Sequence, residues 1–210
     1  MSDSPVGPWK SMGAIMDRTW RTRGNHPGII DYKGQSYVFG LNYDLWHLTT
    51  FKHAEQRSVS AAPMYYEADG SIRKVPYWLD NVLEQIEPFK PFRRVEAETM
   101  AWGYGLKTRR DPERGIVLND IDEGEHLLVK GVDFGSRGAR SLTACVSAPQ
   151  GGCLEIRLDG ADGPLAGTLT LKPGQGWKKQ SCHLSGAKGV HDLYFVFTEG
   201  GFEWDWWEMK

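Results

Sequence analysis

Strict alternation over residues 193–197 constrains the fold of this chain more than any other feature. Leu193, Phe195 and Phe197 fall on one side, and Tyr194 and Val196 on the other. A period of two belongs to a strand that buries one face against a second sheet. A glycine turn then leads into Phe202-Glu203-Trp204-Asp205-Trp206-Trp207, a second aromatic strand. Three indoles within these few residues exceed what a core strand usually holds. Two readings follow: a tryptophan-rich β core, or a core with some rings left outside as flat platforms. Upstream, Arg94-Val95-Glu96-Ala97-Glu98 places two carboxylates two residues apart, hence on one strand face. Like charges side by side ask for water or a cation, with Asp205 as a candidate third ligand. The ordinary reading is a solvated acidic face. Hard oxygen donors of this kind favour Ca²⁺ over softer metals.

The rest of the chain reads as all-β. It holds 25 Gly and 11 Pro and has few amphipathic stretches of helical length. Strand patterns recur at 127–130, 141–147, 154–159, 167–171, 178–184 and 193–197. Leu154, Ile156 and Leu158 oppose Glu155, Arg157 and Asp159, the pattern of a sandwich strand. The sum is a β-sandwich over residues 92–210. In the first segment, residues 1–78, strands at 29–32 and 35–41 flank a Lys33-Gly34 turn. Further strands at 57–67 and 72–75 are joined by Ala68-Asp69-Gly70-Ser71. Such short strands suit a propeller blade and cannot readily close a core alone. Residues 79–91, with Pro88 and Pro91, read as a stiff linker that could carry one short helical turn.

Several function classes have little support. The net charge is −2 with no basic block, which argues against nucleic acid. No apolar run approaches the ~20 residues of a membrane span. The first ten residues have neither the basic nor the apolar region of a signal peptide. Cys145, Cys153 and Cys182 lack zinc spacing. Cys145 and Cys153 flank Pro149 in what reads as a hairpin, where they could face each other. Free thiols are the favoured state, and Cys182 is unpaired either way.

Val-Glu-Ala-Glu, Gly-Val-His-Asp-Leu-Tyr-Phe-Val-Phe and Asp-Trp-Trp, in that order, resemble carbohydrate-binding module family 6 over about 93–209. The resemblance implies a jelly-roll sandwich in which calcium, held by Glu96, Glu98 and Asp205 with backbone carbonyls, ties the first strand to the last. It also implies a loop-end sugar cleft made by a Tyr, a Trp and an Asn. Trp177 matches the Trp, while Asp120 and Glu203 stand at the Tyr and Asn positions. Trp102 or Tyr104 could supply another platform, and some members use a second cleft on the concave sheet face. Residues 2–75, through Asn25-His26-Pro27, Tyr32-Lys33-Gly34, Arg57-Ser58-Val59 and Tyr65-Tyr66-Glu67-Ala68-Asp69-Gly70, resemble the closing part of glycoside hydrolase family 43. That family is a five-bladed propeller acting on xylan- and arabinan-type polysaccharides. The resemblance assigns His26 and Arg57 to the remnant of a substrate pocket. A core histidine and a strand-end arginine are their ordinary readings. Gly40-Leu41-Asn42 departs from the Tyr-His-Asn that members often carry.

Inverting glycosidases need two carboxyls about 6.5–9.5 Å apart. In that family the set comes from earlier blades, which would precede Met1. The expectation is a non-hydrolysing C-terminal piece of an extracellular, arabinofuranosidase- or xylosidase-type enzyme, with polysaccharide and the missing blades as partners. One alternative is a calcium-stabilised packing sandwich without glycan affinity. Asp31, Asp44 and Glu55 match none of that set, and another alternative is a self-sufficient enzyme acting through carboxylates such as Asp31 and Glu55.

Overall fold

The structure, a computed structural model, describes residues 1–16, 26–43, 58–76 and 83–210. By packing, these residues form two units, Met1–Glu84 and Gln85–Lys210. No helix occurs among the described residues, as an all-β chain requires.

The first unit is one antiparallel sheet of β1 (Gly28–Tyr32), β2 (Gln35–Asn42) and β3 (Ser58–Met64), in that order. The predicted turn is present: Lys33 and Gly34 have φ of 49° and 80°, the two positive values a tight primed hairpin needs. Its core is small, with Val38, Ala62, Met64 and Val75 packed against Met16 and Ile72. Ile29, Ile30, Tyr32, Phe39 and Val59 stay exposed. The described part of this sheet therefore keeps much of its apolar surface uncovered. The predicted strand at 72–75 reduces to isolated bridges, Tyr66 with Ile72 and Met16 with Val75.

The second unit is a two-sheet sandwich. One sheet runs in the order β11 (Leu165–Leu171), β10 (Gly152–Leu158), β13 (Val190–Glu199), β8 (His126–Asp133), β5 (Trp102–Tyr104). The other runs β12 (Trp177–His183), β9 (Ser141–Ser147), β14 (Glu203–Met209), β7 (Gly115–Asn119), β6 (Lys107–Asp111), with β4 (Val95–Glu96) also paired to β14. Leu154, Ile156, Leu193, Phe195 and Phe197 of the first sheet meet Leu118, Leu142, Ala144, Val146, Trp204 and Trp207 of the second. Trp204 stands edge-on to Phe195 with ring centres 4.9 Å apart. The alternation read at 193–197 therefore marks the middle of the core. Along Phe202–Trp207 the core reading holds, because Trp204 and Trp207 are fully buried and Trp206 nearly so.

Two sequence expectations change. Cys145 and Cys153 do not face each other across a hairpin, because β9 and β10 belong to opposite sheets. Each strand turns its apolar side toward the space between the sheets, so the chain crosses from one layer to the other at 148–151. All three cysteines are free, and burial pushes the Cys182 thiol up to about 11. Residues 85–91 do not run as a free linker. Gln85 Nε2 donates to the Lys130 carbonyl at 3.0 Å, and Phe89 forms a parallel bridge with Val132 and packs on Trp207.

Candidate functional site

The outer face of the six-stranded sheet carries most of the residues that sequence singled out. Antiparallel register puts Glu203, Ser147 and Trp177 in one row across β14, β9 and β12. The β14–β7 register sets Asn119 level with Glu203 and Asp120 one residue further on. Asp120 is exposed, in the turn after β7, with φ 47°. The fold thus gathers Trp177, Glu203 and Asp120 near one end of the sandwich, but two of them are already engaged. Arg109 grips Glu203 through two bonds, Nε to Oε1 at 2.5 Å and a second guanidinium N–H to Oε2 at 2.7 Å. Arg109 also reaches Asp111 at 3.1 Å. The Arg114 guanidinium lies 4.8 Å above the centre of the Trp177 ring, a cation–π contact on the surface a sugar would need.

The same Arg114 donates to Asp205 at 2.7 Å, and Arg94 approaches the other Asp205 oxygen at 3.4 Å. Asp205 is completely buried, so its charge has to be met locally, and these two arginines meet it. Arg94 also holds Glu96 through two bonds of 2.9 Å and covers the Trp206 ring together with Lys179. Glu96 lies opposite Trp206 on β4, and Ala97 N–H donates to the Asp205 carbonyl at 2.9 Å, so the first strand of the sandwich is joined to its last. Glu98 follows, with Oε2 buried and without a hydrogen-bond partner. Burial first, then the neighbouring Glu96 and Asp205 carboxylates, push its carboxyl up. Hard oxygens and one orphaned carboxylate oxygen fit a hard divalent cation in kind. Among the described residues, however, no three acidic side chains converge as an ion would draw them, and arginines occupy the Asp205 oxygens.

The outer face of the five-stranded sheet is organised differently. One row runs Trp102, Leu128, Tyr194, Arg157 across β5, β8, β13 and β10, and the next runs Tyr104, His126, Val196, Glu155. Trp102 is 53% exposed and Tyr104 60%, and no cation is stacked on either among the described residues. His126 stacks on Tyr104 with ring centres 5.4 Å apart and tilts against Tyr194 at 6.2 Å. At the far end of the rows Arg157 donates to Glu155 at 2.7 Å and to the Gly163 carbonyl at 2.7 Å, which fixes both polar groups. An apolar ring surface bordered by a few fixed polar groups is a surface chemistry suited to saccharide faces and hydroxyls. Sequence reading named Trp102 and Tyr104. It missed His126, because the strand pattern was recognised only from Leu127, and it did not connect the outward parity of Tyr194, Glu155 and Arg157 to the same face.

In the first unit, His26 is exposed just ahead of β1. Arg57, Asp44 and Glu55 lie outside the described residues. Asp31 is exposed and accepts from Ser36 Oγ at 2.5 Å.

The second unit is thus a two-sheet sandwich with rings open on one sheet face, joined in one chain to a three-stranded sheet. Residues 96–210 match carbohydrate binding module (family 6), and the chain belongs to that family. An arabinoxylan arabinofuranohydrolase of Bacillus subtilis (strain 168) is 34% identical over 230 aligned positions, covering 99% of this chain and 44% of that protein. The crystal structure of a glycoside hydrolase family 43 arabinoxylan arabinofuranohydrolase from Bacillus subtilis, in complex with cellotetraose, superposes with a TM-score of 0.89 at 32% identity, over 100% of this chain and 46% of that one. A family 6 module from Clostridium cellulolyticum in complex with xylose matches at TM-score 0.54 and 30% identity, over 58% of this chain and 98% of that one. The chain spans less than half the length of the arabinofuranohydrolases it matches.

Proposed function

We propose that the sandwich is a polysaccharide-targeting module for xylan-type hemicellulose, and that it binds through the outer face of the five-stranded sheet. The observation that carries this reading is the contrast in ring accessibility. Trp102 and Tyr104 are open, whereas Trp177 lies under Arg114 and Glu203 is tied to Arg109. Trp102 and Tyr104 serve as platforms for pyranose faces, with His126 and Tyr194 extending them and Glu155 and Arg157 meeting hydroxyls. The parent protein is an extracellular arabinofuranosidase-type glycoside hydrolase, supported by the kinship to arabinoxylan arabinofuranohydrolases. This chain alone does not hydrolyse; an aryl arabinofuranoside should show no turnover above buffer. Calcium would be held by Glu98, whose Oε2 is without a partner, together with Glu96 and Asp205, and would compete there with Arg94 and Arg114. A chelator should then lower the melting temperature and added Ca²⁺ restore it, because a ligand bound only by the folded state stabilises by mass action. An unchanged melting temperature would leave Arg94 and Arg114 as the whole of that junction.

The test of the main reading is calorimetric titration of the full chain with neutral xylo-oligosaccharides, wild type against Trp102→Ala. Binding that survives Trp102→Ala at full strength removes the sheet-face assignment. A second reading, a packing module with no glycan affinity, draws on the same covered Trp177 and committed Glu203. Absence of any binding by the folded protein would favour it.

A further inference from the structure

The structure assigns a second binding site to the opposite end of the sandwich: an anion-accepting pocket that would take a carboxylate-bearing sugar, a hexuronate. The inference rests on the glycan-binding reading. β9 begins at Ser141 beside this pocket and ends at Ser147 in the Trp177 row, so the two ends of the module lie roughly 20 Å apart at ~3.3 Å per residue.

The pocket has a volume of about 530 Å³ and lies between Phe92, the 134–140 connection and Lys210. Its charged lining residues are Arg137, Arg140 and Lys210, with no acidic side chain among them. Both arginines are exposed, and neither has an ion-pair partner among the described residues. Elsewhere on the sandwich Arg94, Arg109, Arg114 and Arg157 each hold a carboxylate, while Arg93 and Arg110 are exposed without one among the described residues. What distinguishes Arg137 and Arg140 is that both unpaired guanidinium groups line one concavity. The backbone there is fixed as well. Arg140 N–H and Ser141 N–H both donate to the Lys210 carbonyl oxygen, at 2.6 and 3.0 Å, which anchors the lysine beside the arginines. Planar guanidinium groups match the two oxygens of a carboxylate.

Charge alone would describe any small anion. An aromatic ring in the same lining is what points to a sugar: Phe92 is 48% exposed and borders the cavity, offering a ring to a pyranose face. Ser136 supplies a hydroxyl at the rim. The Lys210 ammonium lies 3.4 Å from Glu208, so the site rests on a ring platform and two forked donors, the chemistry of an acidic monosaccharide on an otherwise neutral chain.

The experiment is calorimetry on the full chain with three probes: neutral xylotriose, xylotriose bearing one glucuronate branch, and inorganic phosphate. The branched probe should bind at least tenfold tighter than the neutral one. The Arg137→Gln/Arg140→Gln pair should bring it back to the neutral value while leaving neutral binding as it was. Phe92→Ala should weaken the branched probe and leave phosphate unaffected. Equal affinity for branched and neutral probes, or a branched-probe preference that survives the double substitution, overturns the site. Phosphate bound as tightly as the branched probe overturns the sugar assignment in favour of a bare anion site. Loss of neutral binding alone, with the acidic preference intact, counts against the sheet-face reading and not against this pocket.

Discussion

The two outer faces of the sandwich are built from the same kinds of residue and finish in opposite states. On the six-stranded sheet, aromatic rings lie beneath cations: Arg114 over Trp177, Arg94 and Lys179 over Trp206. The two arginines are in turn fixed by the carboxylates of Glu96 and Asp205. On the five-stranded sheet, Tyr104 stacks on His126, Trp102 lies level with Leu128, and the charged pair Glu155–Arg157 stands to the side. The difference comes from where the acidic residues fall. Asp205, wholly inside the sheet at the β14 irregularity, cannot remain without counter-charge, and the arginines that supply it reach across the adjacent rings. The buried acid at the edge of the five-stranded sheet, Glu125, accepts from the Asp122 backbone N–H at 3.1 Å and holds no arginine among the described residues, so no cation is drawn over the neighbouring rings. Charge burial on one sheet thus decides which aromatics are left for a ligand.

The contrast can be broken from either side. The largest effect is expected for Asp205→Ala, which removes the anchor of the arginine cover. Breaking one partner from a buried pair should cost about 2–3 kcal/mol, moderated because Arg94 and Arg114 can turn to water. Chemical denaturation checks it; a stability within error of wild type would show that the cover is not structural. Next comes Trp102→Ala, expected to weaken xylo-oligosaccharide binding about tenfold, or ~1.4 kcal/mol, with folding hardly changed. Trp177→Ala in the same titration should change affinity less than about twofold, because its ring is already covered. A large loss there would exchange the roles of the two faces.

The smallest effect concerns pH. His191 Nδ1 lies 2.7 Å from Asp159 Oδ2, and its Nε2 faces the Lys188 carbonyl at 2.9 Å. The Asp159 hydrogen bond raises the His191 pKa, and the His191 hydrogen bond lowers that of Asp159. Their mutual stabilisation is complete above the unfolded carboxyl value and below the unfolded imidazole value, roughly pH 4 to 6.5. It fades as pH rises through the raised His191 value or falls through the lowered Asp159 value. Both side chains are partly solvated, so the contribution stays below about 1 kcal/mol. His191→Ala should flatten the stability–pH curve over that window by this amount, read from melting temperatures at pH 5 and pH 8. Identical curves would mean the pair contributes nothing.

The fold was legible in the sequence wherever burial imposes a period. Leu154, Ile156 and Leu158, or Leu193, Phe195 and Phe197, sit inside because each strand has one wet face. β6, Lys-Thr-Arg-Arg-Asp, was not legible: as an outer strand it buries little and reads as a charged loop. Sheet membership was also hidden, since a turn such as 148–151 has the same residues whether it closes a hairpin or crosses between layers. The site was partly legible. Residue type singled out Trp177, Glu203 and Asp205, yet what engages them, Arg109 on Glu203 and Arg114 on Asp205 and Trp177, lies far away along the chain. No local pattern announces such partners.

One further consequence follows from the docking of residues 85–91. Met209 N–H donates to the Pro91 carbonyl at 3.0 Å, and Val95 lies opposite Trp207, so the chain enters and leaves the sandwich through neighbouring positions. A domain whose two ends meet can be spliced into a surface loop of an unrelated host without stretching either side. A graft should begin at Gln85, because starting at Phe92 would strip Phe89 from Trp207 and open the core at the seam.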